Sequence, residues 1–232
     1  MLTKMTCTPK SLTEDLMASA AAVAIKENRS NRPSEKARLN MVRSGDKHLD
    51  DLRLAADTTK YWGKSGVRLR VGFLDNPDQE LRDRILGHMN AWAKGANIHF
   101  TESTDQPQVR ISRAEAGYWS YVGTDILLIP KDEPTMNLEG FTKKTPESEF
   151  KRVVRHETGH TLGFPHEHMR GELVKLIDPA KAIAHFSLTQ GWTAEKVRAQ
   201  ILTPIEEQSL LNPTSVDPDS IMCYQIPGEL TL

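Results

Sequence analysis

Between positions 156 and 166 the chain carries three histidines, a glutamate and a glycine at spacings that could hold a metal ion. His156, Glu157, His160, Gly163 and His166 read H-E-x-x-H-x-x-G-x-x-H. Two histidines four apart on a helix share a face, so both imidazoles reach one ion, at about 2.0–2.1 Å for zinc. Glu157, beside the first of them, overlooks the same point without needing to bind, which is the place of a general base. A helix that simply continued would carry position 166 away along its axis. Gly163 takes the left-handed conformation that ends a helix, and the chain then turns to bring His166 back as a third ligand. Three protein ligands leave one coordination position open, as catalytic zinc sites do and structural ones do not. Five specified residues at this spacing arise by chance on the order of once in 10⁵ chains of this length. His48, His88, His99 and His185 have no such spacing and read as ordinary residues, and His168 reads as a supporting or surface residue.

A second motif follows at Ser220-Ile221-Met222-Cys223-Tyr224, with Met222 56 positions after His166 (222 − 166). Alone, a methionine two residues before a tyrosine reads as core packing. Paired with the histidine motif, it resembles the methionine turn of the metzincin clan of metallopeptidases. Within that clan it looks like the S-I-M-H-Y turn of the astacin family, and Gly163-Phe164-Pro165-His166-Glu167 looks like that family's G-F-x-H-E. The resemblance covers roughly residues 60 to 228 and is carried mainly by these two motifs.

The resemblance implies an α+β, metzincin-type catalytic domain: about five strands in a twisted mixed sheet, an active-site helix, and a mostly irregular or helical lower lobe. It implies a zinc-dependent endopeptidase with Zn2+ held by His156, His160 and His166. Glu157 would take a proton from metal-activated water and pass it to the departing amine. Met222 would form a hydrophobic floor, and Tyr224 would be either an additional zinc ligand or a hydrogen-bond donor to the oxyanion. The peptide or protein substrate would lie extended along the edge strand, for which Tyr118 to Asp125 or its neighbour is the candidate.

Several residues depart from the family pattern. Cys223 stands where the family has histidine, the disulfides of secreted members have no counterpart, and the chain ends eight residues after Tyr224. Arg43-Ser44-Gly45-Asp46 keeps the Gly-Asp of the family's inhibitory F-x-G-D but lacks the Phe, and reads as a solvated turn. Two rival functions remain: a catalytically silent zinc-containing peptide-binding module, and a latent protease held inactive by its N-terminal segment. Glu157 argues against the first, because a structural site needs no general base.

The elements that must position these residues follow from pattern. Residues 11 to 27 have helix-forming composition, and Pro33 breaks the polar stretch after them. Residues 1–58 read as an N-terminal extension and 59–232 as the catalytic domain, its upper lobe running to about 163 and its lower lobe from 164 to 232. Val67 to Phe73 alternates apolar and charged residues as a half-buried strand does. Leu81, Ile85, Met89 and Trp92 recur at helical spacing after Asn76-Pro77-Asp78. Ile98–Thr101, Val109–Ser112, Tyr118–Val122 and Ile126–Ile129 are short β-prone runs that complete a five-stranded sheet. Thr145-Pro146-Glu147 opens the motif helix, with Thr145 as cap and Pro146 at its first position. Pro179–Phe186 and Thr193–Leu202 have helical composition.

Lys and Arg number 30 against 31 Asp and Glu, so no basic field draws the chain to nucleic acid or an anionic membrane. No apolar run approaches the roughly 18 residues of a membrane span. Glu14 and Asp15 sit where an export signal would carry positive charge, so Leu16–Ile25 reads as a soluble helix and the chain as cytoplasmic or exported without a leader. Cys7 and Cys223 form no C-x-x-C and read as free thiols rather than a disulfide framework or a thiolate zinc knuckle. No motif sets an oligomeric state.

Overall fold

The computed structural model describes residues 7–8, 10–35, 58–205, 210, 215–224 and 226–232, and these fall into two compact units that divide between Phe164 and Pro165. The Gly-Asp pair at 45–46 lies outside the described residues.

The unit ending at Phe164 begins with helix α1, Glu14–Glu27, whose first turn carries Glu14 and Asp15 and whose last carries Lys26. That charge order suits the helix dipole. Strand β1, Val67–Phe73, buries Leu69 and Val71. Helix α2, Gln79–Met89, starts where Asp78 accepts a hydrogen bond from the Leu81 N–H, and it buries Leu81, Ile85, His88 and Met89. Strands β2, Ile98–Glu102, β3, Val109–Ser112, β4, Tyr118–Ser120, and β5, Met136–Leu138, complete a mixed sheet. The strand order is β2-β1-β3-β5-β4; β4 alone runs antiparallel to its neighbour, and it lies at an edge. Val71, Ile111, Met136, Leu138 and Phe150 are fully buried in one core with Ile85 and Met89, each contributing about 1.5–3 kcal/mol of apolar burial.

Five strands form as expected, but the fifth is a different segment. Ile126–Ile129 lies largely in a 3-10 turn, Gly123–Leu128. Gly123 has φ +52, and a Cβ there would lie 1.9 Å from the carbonyl oxygen of Lys60. The next N–H, that of Thr124, donates to the same carbonyl. The chain is therefore pinned into a turn, and the place between β3 and the edge strand β4 goes to Met136–Leu138. The motif helix also opens one residue later than expected. Pro146 is its cap and Glu147 its first residue, because the Thr145 hydroxyl is engaged instead by the Thr142 N–H.

The motif helix continues as α3, Arg155–Leu162, and the second unit, from Pro165, is built around helix α4, Pro179–Gln190. Asp178 accepts from the N–H groups of Ala180 and Lys181 at its start, and Gly191, φ +65, ends it. Ile177, Ala182, Phe186, Trp192, Val197, Ile201 and Leu230 form its core.

Candidate metal centre

The motif helix opens with Glu147–Glu149, loosens into a π turn at Phe150–Val154, and continues as α3, Arg155–Leu162. Every residue of α3 from His156 to Leu162 is buried. The helix is fixed along its length by side chains from elsewhere in its unit. The Trp92 Nε1–H donates to the Arg155 carbonyl at 3.0 Å, the Trp62 Nε1–H donates to the Thr161 carbonyl at 2.8 Å, and the Thr161 hydroxyl meets that of Ser120 on β4 at 3.0 Å.

Gly163 ends the helix at φ +106, and its N–H donates to the His160 carbonyl. The Phe164 N–H then donates back to the Gly159 carbonyl, and the Phe164 carbonyl accepts from His160 Nδ1 at 2.8 Å. Because a carbonyl only accepts, His160 carries its proton on Nδ1 and keeps the Nε2 lone pair for another partner. The rings of His156 and His160 stand edge to face, with centroids 4.8 Å apart.

Glu157 is 1% exposed. Its Oε2 accepts from the Cys7 thiol at 3.3 Å, while Oε1 is buried with no hydrogen-bond partner among the described residues. Burial pushes the carboxyl up to about 8, opposed by the Cys7 hydrogen bond and the Arg152 charge. Cys7 is itself buried, and desolvation followed by the negative charge of Glu157 raises its thiol. The ligand atoms of Cys7, His156 and His160 all lie within 4.8 Å of one another. Two imidazole nitrogens, one with its tautomer fixed, and a thiol sulfur make a donor set that suits zinc.

His166, Met222 and Tyr224 belong to the second unit. His166 is buried, its ring 4.4 Å from that of Tyr224. The N–H of Glu167, next to His166, donates to the carbonyl of buried Met222, and a tight turn closes where the Cys223 N–H donates to the Ser220 carbonyl. His168 is buried too, stacked on Tyr224 at 4.2 Å. Its Nε2 donates to the Gln200 carbonyl at 2.9 Å, which leaves Nδ1 to face the Tyr224 N–H. His168 is thus a buried support of Tyr224.

Cys7 is the residue at this site that sequence reasoning missed. It precedes His156 by 149 positions (156 − 7) and carries no local spacing signal. The backbone that delivers it pairs with the sheet edge: the Thr8 N–H donates to the Tyr118 carbonyl at 3.0 Å and the Lys10 N–H to the Ser120 carbonyl at 3.1 Å.

An α+β unit with a five-stranded mixed sheet, and a buried helix presenting paired histidines and a glutamate, define the class of zinc metallopeptidases. The profile of the astacin peptidase family matches residues 55–225, and the chain belongs to that family. It is 33% identical over 92 residues to Zinc metalloproteinase nas-27 of Caenorhabditis elegans, a match covering 39% of this chain. The chain spans 19% of the length of that relative. It is also similar to the structure of myroilysin, with a TM-score of 0.69 and 31% identity over 75% of this chain and 84% of that one. A crystal structure of myroilysin matches at a TM-score of 0.55 and 27% identity, covering 88% and 85%. No described helix is long and apolar enough to cross a membrane.

Proposed function

We propose that the chain is an endopeptidase that hydrolyses peptide bonds with zinc held by His156, His160 and His166. When bound, zinc supplies a Lewis acid that polarises a carbonyl and lowers the pKa of water toward about 7. The chain's own residues do the rest. Phe164 holds the His160 ring in the tautomer that leaves Nε2 for the metal. Glu157 takes the proton from the attacking water at a carboxylate oxygen and returns it to the departing amine. Its burial supports this role by favouring the protonated carboxyl that hands the proton on. Tyr224, supported by His168, would donate to the carbonyl oxygen as charge develops there. An extended substrate would pair with the edge strand β4.

The observation that carries this reading is the buried carboxylate of Glu157 beside the histidine pair, with one oxygen left without a hydrogen bond among the described residues. A silent binding module has no use for that costly group. The test is hydrolysis of a broad peptide mixture by zinc-loaded protein carrying Cys7→Ala, which takes the thiol off the Glu157 carboxylate. Internal cleavage that stops on chelation and returns with zinc supports the reading. Intact peptides in the presence of stoichiometric zinc would reject it in favour of a binding module.

A further inference from the structure

We propose that His88 is a positioning residue for the metal site, acting through Arg155 to hold the π turn of the motif helix so that α3 presents His156 and Glu157 on one fixed face. The inference rests on the zinc reading above and adds a residue that acts on the site from outside it.

A π turn carries one residue more than an α turn. At 3.6 residues per turn, relaxing Phe150–Val154 into α register would rotate α3 by about 100° against Glu147–Glu149. The two halves of the motif helix could not then both keep their faces, Phe150 buried in the sheet core and His156 with Glu157 buried at the site. The wide turn therefore has to be pinned on both sides, and one side chain reaches both.

His88 lies on α2 and is 7% exposed. Before the turn, its Nε2 meets Glu147 Oε1 at 3.2 Å and its ring stacks on Phe150 with centroids 5.4 Å apart. After the turn, its Nδ1 accepts from Arg155 Nε at 3.4 Å. Arg155 is the first residue of α3 and the neighbour of His156. Arg84, four residues earlier on the same face of α2, reinforces the first side: Nη2 reaches Glu147 Oε2 at 3.0 Å and the guanidinium lies 3.9 Å over the Phe150 ring. Trp92 reinforces the second. Its Nε1–H donates to the Arg155 carbonyl, and its ring stacks at 5.5 Å on Phe164, whose carbonyl fixes His160.

The contact with Arg155 carries the effect. The Glu147 side chain is 54% exposed, so its pairs with His88 and Arg84 are screened by water and contribute little. Accepting at Nδ1 requires a neutral ring with its proton on Nε2. Burial, joined by the Arg155 and Arg84 charges and opposed by Glu147, lowers the His88 pKa and keeps the ring neutral.

Asparagine and glutamine separate the two contacts, because the Asn oxygen takes the place of Nδ1 and the Gln amide nitrogen that of Nε2. In the full chain carrying Cys7→Ala, His88→Gln is expected to weaken zinc binding about 10–100-fold in a competitive titration. It should also lower kcat per bound zinc with KM unchanged. His88→Asn, which keeps the acceptor for Arg155, is expected to restore both. Arg155→Met should reproduce the losses while leaving buried His88 in place, so it reads the contact even where a change at position 88 lowers the folded yield. The double variant His88→Gln/Arg155→Met should be no worse than either single change, because both remove one interaction. A His88→Gln protein that melts lower but binds zinc and turns over as its parent does would overturn the proposal and leave His88 to packing. Losses that add in the double variant would overturn the route through Arg155. A parent that binds zinc and cleaves nothing would reject the endopeptidase reading alone, with the titration still deciding the positioning role. A parent that binds no zinc would overturn both.

Discussion

The His160 ring is held by the carbonyl of Phe164, Nδ1 to oxygen 2.8 Å, and Phe164 is the first residue after the glycine that ends the helix. One turn therefore terminates α3 and sets the tautomer of a proposed ligand. A Cβ at Gly163 would be strained at φ +106 and would crowd the Lys60 carbonyl and the Tyr61 ring at 3.1 Å. Gly163→Ala is expected to cost about 1–2 kcal/mol of stability and to weaken zinc binding about 10–100-fold. Denaturant unfolding of the metal-free protein and a competitive zinc titration measure the two effects separately. Unchanged affinity in a destabilised variant would show that the turn serves the fold alone.

Asn31 predicts a large effect far from the chemistry. Its amide donates to the Ala24 and Tyr61 carbonyls at 2.8 and 2.7 Å, and its oxygen accepts from Thr59 and from the Tyr61 N–H. Asn31→Ala strands these buried groups and should destabilise the fold by about 1–3 kcal/mol. Unfolding measured with and without zinc tests this; a loss under half a kcal/mol would mean that water replaces the side chain.

His88 gives a pH signature. Burial lowers its pKa, and the Arg155 and Arg84 charges act in the same direction against the opposing pull of Glu147. As a neutral ring it accepts from Arg155 at Nδ1 and meets Glu147 through Nε2 at 3.2 Å. The folded pKa lies below the unfolded value, so the unfolded chain takes the proton first as pH falls. The stability linked to this shift is therefore fully present above about pH 6.5 and is lost as pH falls from there through the lower folded pKa. Melting temperatures recorded from about pH 7.5 to about pH 5.5 should fall more steeply for the wild type than for His88→Gln. Parallel curves would contradict the assignment.

The histidine motif was legible because a metal on a helix demands a short fixed spacing, and the helix-ending role of Gly163 followed from the need to turn back toward the ion. Val67–Phe73 and the Leu81–Met89 helix were legible because one face of each is apolar at the right period. Met136–Leu138 was not: three residues buried on both faces of the sheet show no alternation. Ile126–Ile129 misled because its apolar run suits a strand, while the close approach of Gly123 to Lys60 that decides the turn is non-local. Cys7 was hidden for the same reason, since strand pairing by Thr8 and Lys10 brings it to Glu157. The described part of the extension looked separable in sequence, yet Asn28 and Asn31 bind it to the segment that supports α3.

Tyr224 separates transition-state stabilisation from binding. If it donates to the developing oxyanion, Tyr224→Phe should lower kcat about 100-fold with little change in KM and full retention of zinc. Loss of zinc from this variant would instead make the tyrosine a ligand.

The central claim is that Glu157 moves protons at a zinc site it does not hold. The direct measurement is kcat/KM per bound zinc for Glu157→Gln against its parent, both carrying Cys7→Ala. We expect equal zinc content and a loss of at least about 100-fold, within the range that positioned acid–base groups supply. Equal rates at equal zinc content, or zinc lost together with the carboxylate, would contradict the account.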